Sequence, residues 1–120
     1  MSGLLRNLRI EISAGDDLRV FVSVEDQNGN PVDILEAQSI RWWAARTVNG
    51  PPVIQKSLDD GVTINAPTEF YFDIESSESA PLSRAYYFEA EVITDEGLTY
   101  TVQSGTMFVY PSLIPSGASQ

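Results

Sequence analysis

Three stretches of the chain alternate strictly between apolar and polar residues. "DLRVFVSVED" places Leu18, Val20, Val22 and Val24 on one face, with Arg19, Phe21, Ser23 and Glu25 on the other. "EFYFDIES" groups Phe70, Phe72 and Ile74 against Glu69, Tyr71, Asp73 and Glu75. "AYYFEAEVITDEG" groups Tyr86, Phe88, Ala90 and Val92 against Tyr87, Glu89, Glu91 and Ile93. A period of two is the side-chain period of an extended strand. Apolar on one side and polar on the other means one face in a core and one in water.

Turn chemistry separates these runs. "DQNGNP" carries Asn28-Gly29, a hairpin signal because both residues tolerate a positive φ, and "VNGPP" repeats it at Asn49-Gly50. "LDDG" and "TDEG" each end in glycine. The pattern predicts strands near 4–13, 17–26, 39–47, 52–58, 62–65, 69–75, 85–94 and 98–109. Only "SSESAPLSR", 76–84, has room for a helical turn, with Ser76 or Ser77 as its cap. Gly105 interrupts the last strand and is expected to mark a bulge that changes which face points inward. Short strands at this spacing predict an all-β protein of about seven to eight strands, a sandwich or a barrel.

A chain of 120 residues, 42% of them hydrophobic, suits a single core. The expected organisation is one sandwich domain over residues 1–110 and a flexible or docking C-terminal tail over 111–120. No apolar run approaches the roughly 20 residues that cross a bilayer. "MSGLLRNLRIEIS" has neither the apolar core nor the cleavage site of a signal peptide, so cytoplasmic synthesis is expected.

The residue inventory narrows the chemistry. Cysteine and histidine are both absent, which removes thiolates, disulfides and the usual general base and metal ligand. The net charge is −10, unfavourable for phosphate backbones and for anionic membranes. After Lys56 there are ten acidic residues and one base, Arg84. That asymmetry fits either simple solubility or an acidic face that meets a basic partner.

Each motif with chemical potential has a plainer reading. Asp26, Asn28 and Asn30 offer oxygens at positions 1, 3 and 5 of a calcium-loop pattern, and Asp33 stands nearby. Pro31 then occupies the place of the required glycine and Ala37 that of the required glutamate, so a turn is expected and no metal. Glu89 and Glu91 share one strand face about 7 Å apart, a spacing that paired carboxylates could use, but the face is expected to be wet. A serine–lysine pair would need Lys56, and Ser57 beside it lacks a strained glycine-rich turn. No catalytic residue and no cofactor is assigned. Tyr86 opens a strand after Leu82, the setting in which immunoglobulin-like sandwiches bond a tyrosine hydroxyl to backbone just upstream.

The adjacent tryptophans of "SIRWWAAR" must face opposite ways on a strand. Ile40, Trp42 and Ala44 form the natural core face, because the reverse register would bury Arg41. Trp43 therefore faces outward, as do Tyr71, Tyr87 and Ile93. Either these residues contribute to a contact surface, together with Leu113 and Ile114 of the tail, or a loop or the tail covers Trp43.

Residues 8–114 resemble small immunoglobulin-like structural proteins of tailed bacteriophages and prophages, and are similar to the N-terminal domain of phage upper-baseplate proteins. The matching residues are Gly15-Asp16, then Asp26, Gly29, Pro31, Val32 and Asp33, then Trp42, with Ile34 where leucine is common. "PVIQKSLDDGVTI", "YYFEAEVITDEG" and "TVQSGTMFVYPSL" continue the match. Upper-baseplate proteins continue into a long C-terminal part, which this sequence does not. The resemblance implies an immunoglobulin-like antiparallel β-sandwich of about seven to eight strands and a non-enzymatic virion protein: a tail or baseplate adaptor, or a small tail component. It would be present in many copies or as a homo-oligomer, would bind other virion proteins and would be made in the host cytoplasm. A head-decoration protein is the alternative within that class. Outside it, a carbohydrate- or receptor-binding module could stack sugars on Trp43, Tyr71 and Tyr87.

Overall fold

The structure, a computed structural model, describes residues 5–113, with side chains from Leu8 onward. Its strands are β1 (Leu5–Ser13), β2 (Leu18–Ser23), β3 (Ser39–Ala45), β4 (Pro52–Leu58), β5 (Gly61–Ala66), β6 (Glu69–Ile74), β7 (Arg84–Ile93) and β8 (Thr99–Tyr110). One helical turn, α1 (Ser76–Ser79), lies between β6 and β7. Each strand read from the alternation is present. The largest shift is at β2, which stops at Ser23 instead of 26. There Val24 donates its N–H to Thr68, and its carbonyl accepts from Val32, so the chain leaves the sheet for a local hairpin.

The strands run in the order β1-β8-β7-β3-β4-β5-β6-β2. All neighbours are antiparallel except β1 with β8 and the short β4–β5 contact. That contact spans only Ser57–Leu58 and Gly61–Val62, where a turn carries the chain from one sheet to the other. The first sheet is therefore β1-β8-β7-β3-β4 and the second is β5-β6-β2. Trp42 of β3 and Phe72 of β6 meet between them with ring centroids 4.6 Å apart, so the sheets are face to face. This is an immunoglobulin-like β-sandwich, crossed over at β4–β5 and open on the side of β1 and β2.

The core follows the alternation. Trp42 is fully buried and stacks on Phe88 at 5.4 Å, with Ile40, Phe70, Ile74, Val92 and Met107 around it. Tyr86 plays the expected corner role: its hydroxyl accepts the Ser83 N–H at 3.0 Å and an Arg46 guanidinium N–H at 3.1 Å. Arg46 also donates to the Ser83 carbonyl at 2.8 Å and lies 4.4 Å over the Tyr86 ring. Lys56 points into the protein, and Glu78 of α1 receives its ammonium at 2.8 and 2.9 Å.

Three local expectations need correction. The Asn28-Gly29 hairpin is not built on two positive φ values; only Gly29 has one, at +85°. The Gly29 N–H bonds the Asp26 carbonyl, so the turn is centred on Gln27-Asn28 and Gly29 follows it. The inward face of β8 changes between Val102 and Gln103, not at Gly105: both are buried and the register slips opposite Ala90–Glu91. Gly105 has a different reason, since a Cβ there would stand 2.1 Å from the Leu8 carbonyl oxygen of β1. The cap of α1 is Glu75, not Ser76 or Ser77; its N–H bonds the Glu78 carboxylate at 2.9 Å.

Candidate functional site

β3 and β7 pair antiparallel, and their register fixes what shares the outer face of the first sheet. Trp43 lies opposite Glu89 on one side and Gln55 of β4 on the other. Ala45 lies opposite Tyr87, and β8 adds Ser104 beside Glu89 and Thr106 beside Tyr87. The next row holds Arg41, Glu91 and Thr101. The result is a sheet surface with an aromatic ring in each of two adjacent rows.

The β3–β4 loop raises a wall along this surface. Asn49 takes φ +66°, and the Gly50 N–H closes the turn onto the Thr47 carbonyl. A Cβ at Gly50 would stand 2.3 Å from Thr47 Oγ1, so Thr47 would have to turn aside to admit one. The wall and the sheet enclose a groove of about 560 Å³, lined by Trp43, Val48, Pro52, Tyr87, Glu89 and Thr106 among others. Trp43 is 41% exposed and Tyr87 52% exposed, so the loop flanks the tryptophan without covering it. The Arg41 guanidinium lies 5.4 Å from the Trp43 ring centroid and pairs with Glu91. A cation near one ring, a carboxylate opposite it and two hydroxyls alongside can bind a partly apolar, hydrogen-bonding surface.

The other outward aromatics do not join this patch. Tyr71 is on β6, in the second sheet, where it meets Phe21 of β2 at 5.6 Å. Arg19 covers it, 4.3 Å from the ring centroid, while its guanidinium bonds Asp73 at 2.8 and 3.1 Å. Those bonds hold the Asp73 carboxyl below its ordinary range. Ile93 sits between Ser39 and Thr99, at the far end of β7, half-buried. Leu113 is 99% exposed, and Ile114 lies outside the described residues. A sugar platform of Trp43, Tyr71 and Tyr87 together is thus ruled out by topology; Trp43 with Tyr87 is the pair that shares a groove.

Sequence reasoning missed Val48, in a segment read as a turn, and Pro52, the first residue of a predicted strand; both line the groove. It also passed over Phe21, 54% exposed, although the same alternation had placed it outside. Glu89 and Glu91 are on the outer face, Glu89 exposed and Glu91 ion-paired with Arg41.

The residues that carry the sequence resemblance hold turns. Gly15, at φ +91°, donates its N–H to Ser79 Oγ at 2.9 Å, and Ser79 donates to the Asp16 carbonyl at 2.8 Å. Asp26 Oδ1 accepts the N–H groups of Asn28 and Asn30 at 2.8 and 3.0 Å, and Asp33 Oδ1 accepts that of Leu35 at 2.9 Å. These oxygens, once weighed as calcium ligands, fix their own loops.

No family model matches the chain, and no curated protein does. Among solved structures, the fibronectin(III)-like modules of Clostridium thermocellum CbhA are similar, at 8% identity and a TM-score of 0.47 over 91% of each chain.

Proposed function

We propose that the chain is a non-enzymatic structural subunit of a tailed-bacteriophage particle, acting as a tail or baseplate adaptor or small tail component that binds other virion proteins. The assignment to a virion rests on the sequence resemblance over residues 8–114. The binding surface rests on one observation: Trp43 and Tyr87 stand bare on adjacent rows of one sheet face, around a walled groove. Buried aromatic anchors dominate interface energies, and a chain that leaves two of them in water gains by covering them. The test is rebinding of the purified chain to particles that lack it. Trp43→Ala is expected to weaken rebinding about 30-fold, the equivalent of 2 kcal/mol. Equal rebinding by Trp43→Ala and Tyr87→Ala would remove this face from the interface. A labelled chain imaged on particles distinguishes tail from head decoration.

One observation favours a second reading, a carbohydrate-binding face. Glu89 shares the row of Trp43 and adjoins that of Tyr87, with the Ser104 and Thr106 hydroxyls beside them, and sugars are bound by stacking plus such oxygens. A glycan array on the isolated chain separates the two. Binding lost in both Trp43→Ala and Glu89→Gln supports the sugar reading; a blank array with intact particle binding supports the protein partner.

A further inference from the structure

The two ends of the strand order, β1 and β2, each have one unpaired edge among the described residues. They are not alike. β1 carries a register break between Leu5 and Leu8, which spoils its edge for pairing. β2 pairs with β6 without interruption from Leu18–Ile74 to Ser23–Glu69. It contains no proline, lysine, glycine or bulge, and its one charged side chain, Arg19, is already paired with Asp73 of β6.

The hydrogen-bond phase of β2 is fixed by its end. The Val24 N–H bonds Thr68, so Val24 and the alternate residues Val22, Val20 and Leu18 turn their backbone groups toward β6. The N–H and C=O groups of Arg19, Phe21 and Ser23 therefore point to the open edge. An antiparallel copy of β2, placed on a two-fold axis at Phe21, meets that edge in phase. Phe21 then faces Phe21 of the second copy, and Arg19 faces Ser23 on either side. That geometry makes about six ladder hydrogen bonds.

The side chains suit the same arrangement. Phe21 and Tyr71 already form a ring pair on the outer face, and the two-fold would extend it to a row of four rings. The net charge of −10 opposes self-association in general; on the outer face here Arg19 and Asp73 neutralise each other, while Glu69 opposite Ser23 keeps its charge. In this register Arg19 also lies diagonally across from Glu25 of the second copy, a complementary pair. One juxtaposition opposes it: Asp17 comes level with Glu25 of the second copy. Added salt screens that contact and the general repulsion.

We infer that the chain forms a two-fold dimer by antiparallel pairing of β2 with β2 of a second copy, joining the two three-stranded sheets into one of six. This surface is separate from the Trp43 groove, and the inference stands without the virion reading.

The experiment is sedimentation equilibrium with concentration-dependent amide exchange on the full chain, at low and at moderate salt. The wild type is expected to dimerise, more strongly at moderate salt. Protection of the Arg19, Phe21 and Ser23 amides should rise with concentration, while the Val20 and Val22 amides stay protected throughout. Phe21→Lys and Ser23→Pro act on the open edge and leave the backbone bonds between β2 and β6 in place, although Phe21→Lys also gives up the ring contact with Tyr71. Each should weaken dimerisation about tenfold or more while the Val20 and Val22 amides stay protected, which shows that the pairing of β2 with β6 persists. Trp43→Ala should dimerise as the wild type does. A wild type that is monomeric at all concentrations overturns the inference. So does concentration-independent protection of Arg19, Phe21 and Ser23, which would mean that the chain's own N-terminal residues occupy the edge. Loss of the dimer in Trp43→Ala, with Phe21→Lys unaffected, would move the contact to the groove.

Discussion

The inner and outer faces of β3 carry the same residue type one position apart, and the protein treats the two in opposite ways. Trp42 is closed in by Phe72 and Phe88, while Trp43 keeps 41% of its surface in water with only Arg41 and the β3–β4 loop beside it. β7 repeats the contrast one strand over: Tyr86 is buried with its hydroxyl doubly bonded, and Tyr87 is open. Residue type therefore says little about role here; the phase of the strand decides it. Inside, rings are spent on packing. Outside, the charged groups find partners and the rings are left available.

The largest break in this comparison is expected from Trp42→Ala. Removing a fully buried indole between two rings should cost about 3–5 kcal/mol, a large share of the stability of a domain this size. Denaturant melts measure it. A loss below about 1 kcal/mol would mean that the inner face is far looser than its contacts imply.

Tyr86→Phe comes next, at about 1–2 kcal/mol. It removes one hydroxyl and leaves the Ser83 N–H without its acceptor in a partly buried corner. Tyr87→Phe should change stability by less than about 0.5 kcal/mol. Equal losses at the two positions would contradict the register of β7.

Much of this was legible in advance, for a definite reason. Period-two alternation reports burial directly, so β2, β6 and β7 and the split between Trp42 and Trp43 follow from the residues alone. Gly105 was legible as an irregularity and illegible as to kind. A glycine in a strand signals a bulge or a close backbone approach, and only the path of β1 over Leu8 tells them apart. The groove was half legible. Trp43 and Tyr87 declare themselves as outward, but their adjacency depends on how β3 and β7 are registered, and Tyr71 could equally have been beside them. Val48 carries no signal at all, because a turn's sequence encodes its own closure and not what it leans over, and Pro52 at the start of β4 gives no sign of what it flanks.

The inner face has one imperfection that sharpens the comparison. The Trp42 Nε1–H and the Gln103 Oε1 are buried without a hydrogen-bond partner among the described residues, and both lie on the row that runs through Ala90. Gln103→Met keeps the volume and removes the unpaired acceptor, so stability should stay level or rise by up to about 1 kcal/mol. A clear destabilisation would show that Gln103 makes a bond through ordered water. Trp43→Ala, the outer counterpart, should fall within about 0.5 kcal/mol of the parent, with its effect confined to binding.

The smallest expected effect is one of pH, and it belongs wholly to an outer face. Both oxygens of Asp73 accept from Arg19, and that hydrogen bonding holds the carboxyl below its ordinary value of 3.8. A carboxylate with a depressed folded pKa adds stability above the unfolded pKa. It loses that contribution as pH falls through the folded one. The pair is largely solvent-exposed, so water and salt leave little of it. Carbon-detected titration of the Asp73 carboxyl should therefore give a midpoint below the ordinary value in the parent. In Arg19→Gln the midpoint should move back up, and added salt should narrow the gap. The same midpoint in both proteins would mean that Arg19 serves Tyr71 and not Asp73. The Trp42→Ala deficit, by contrast, should be the same at every pH at which the fold persists. Packing on the inner face has no proton to lose, and the outer face does.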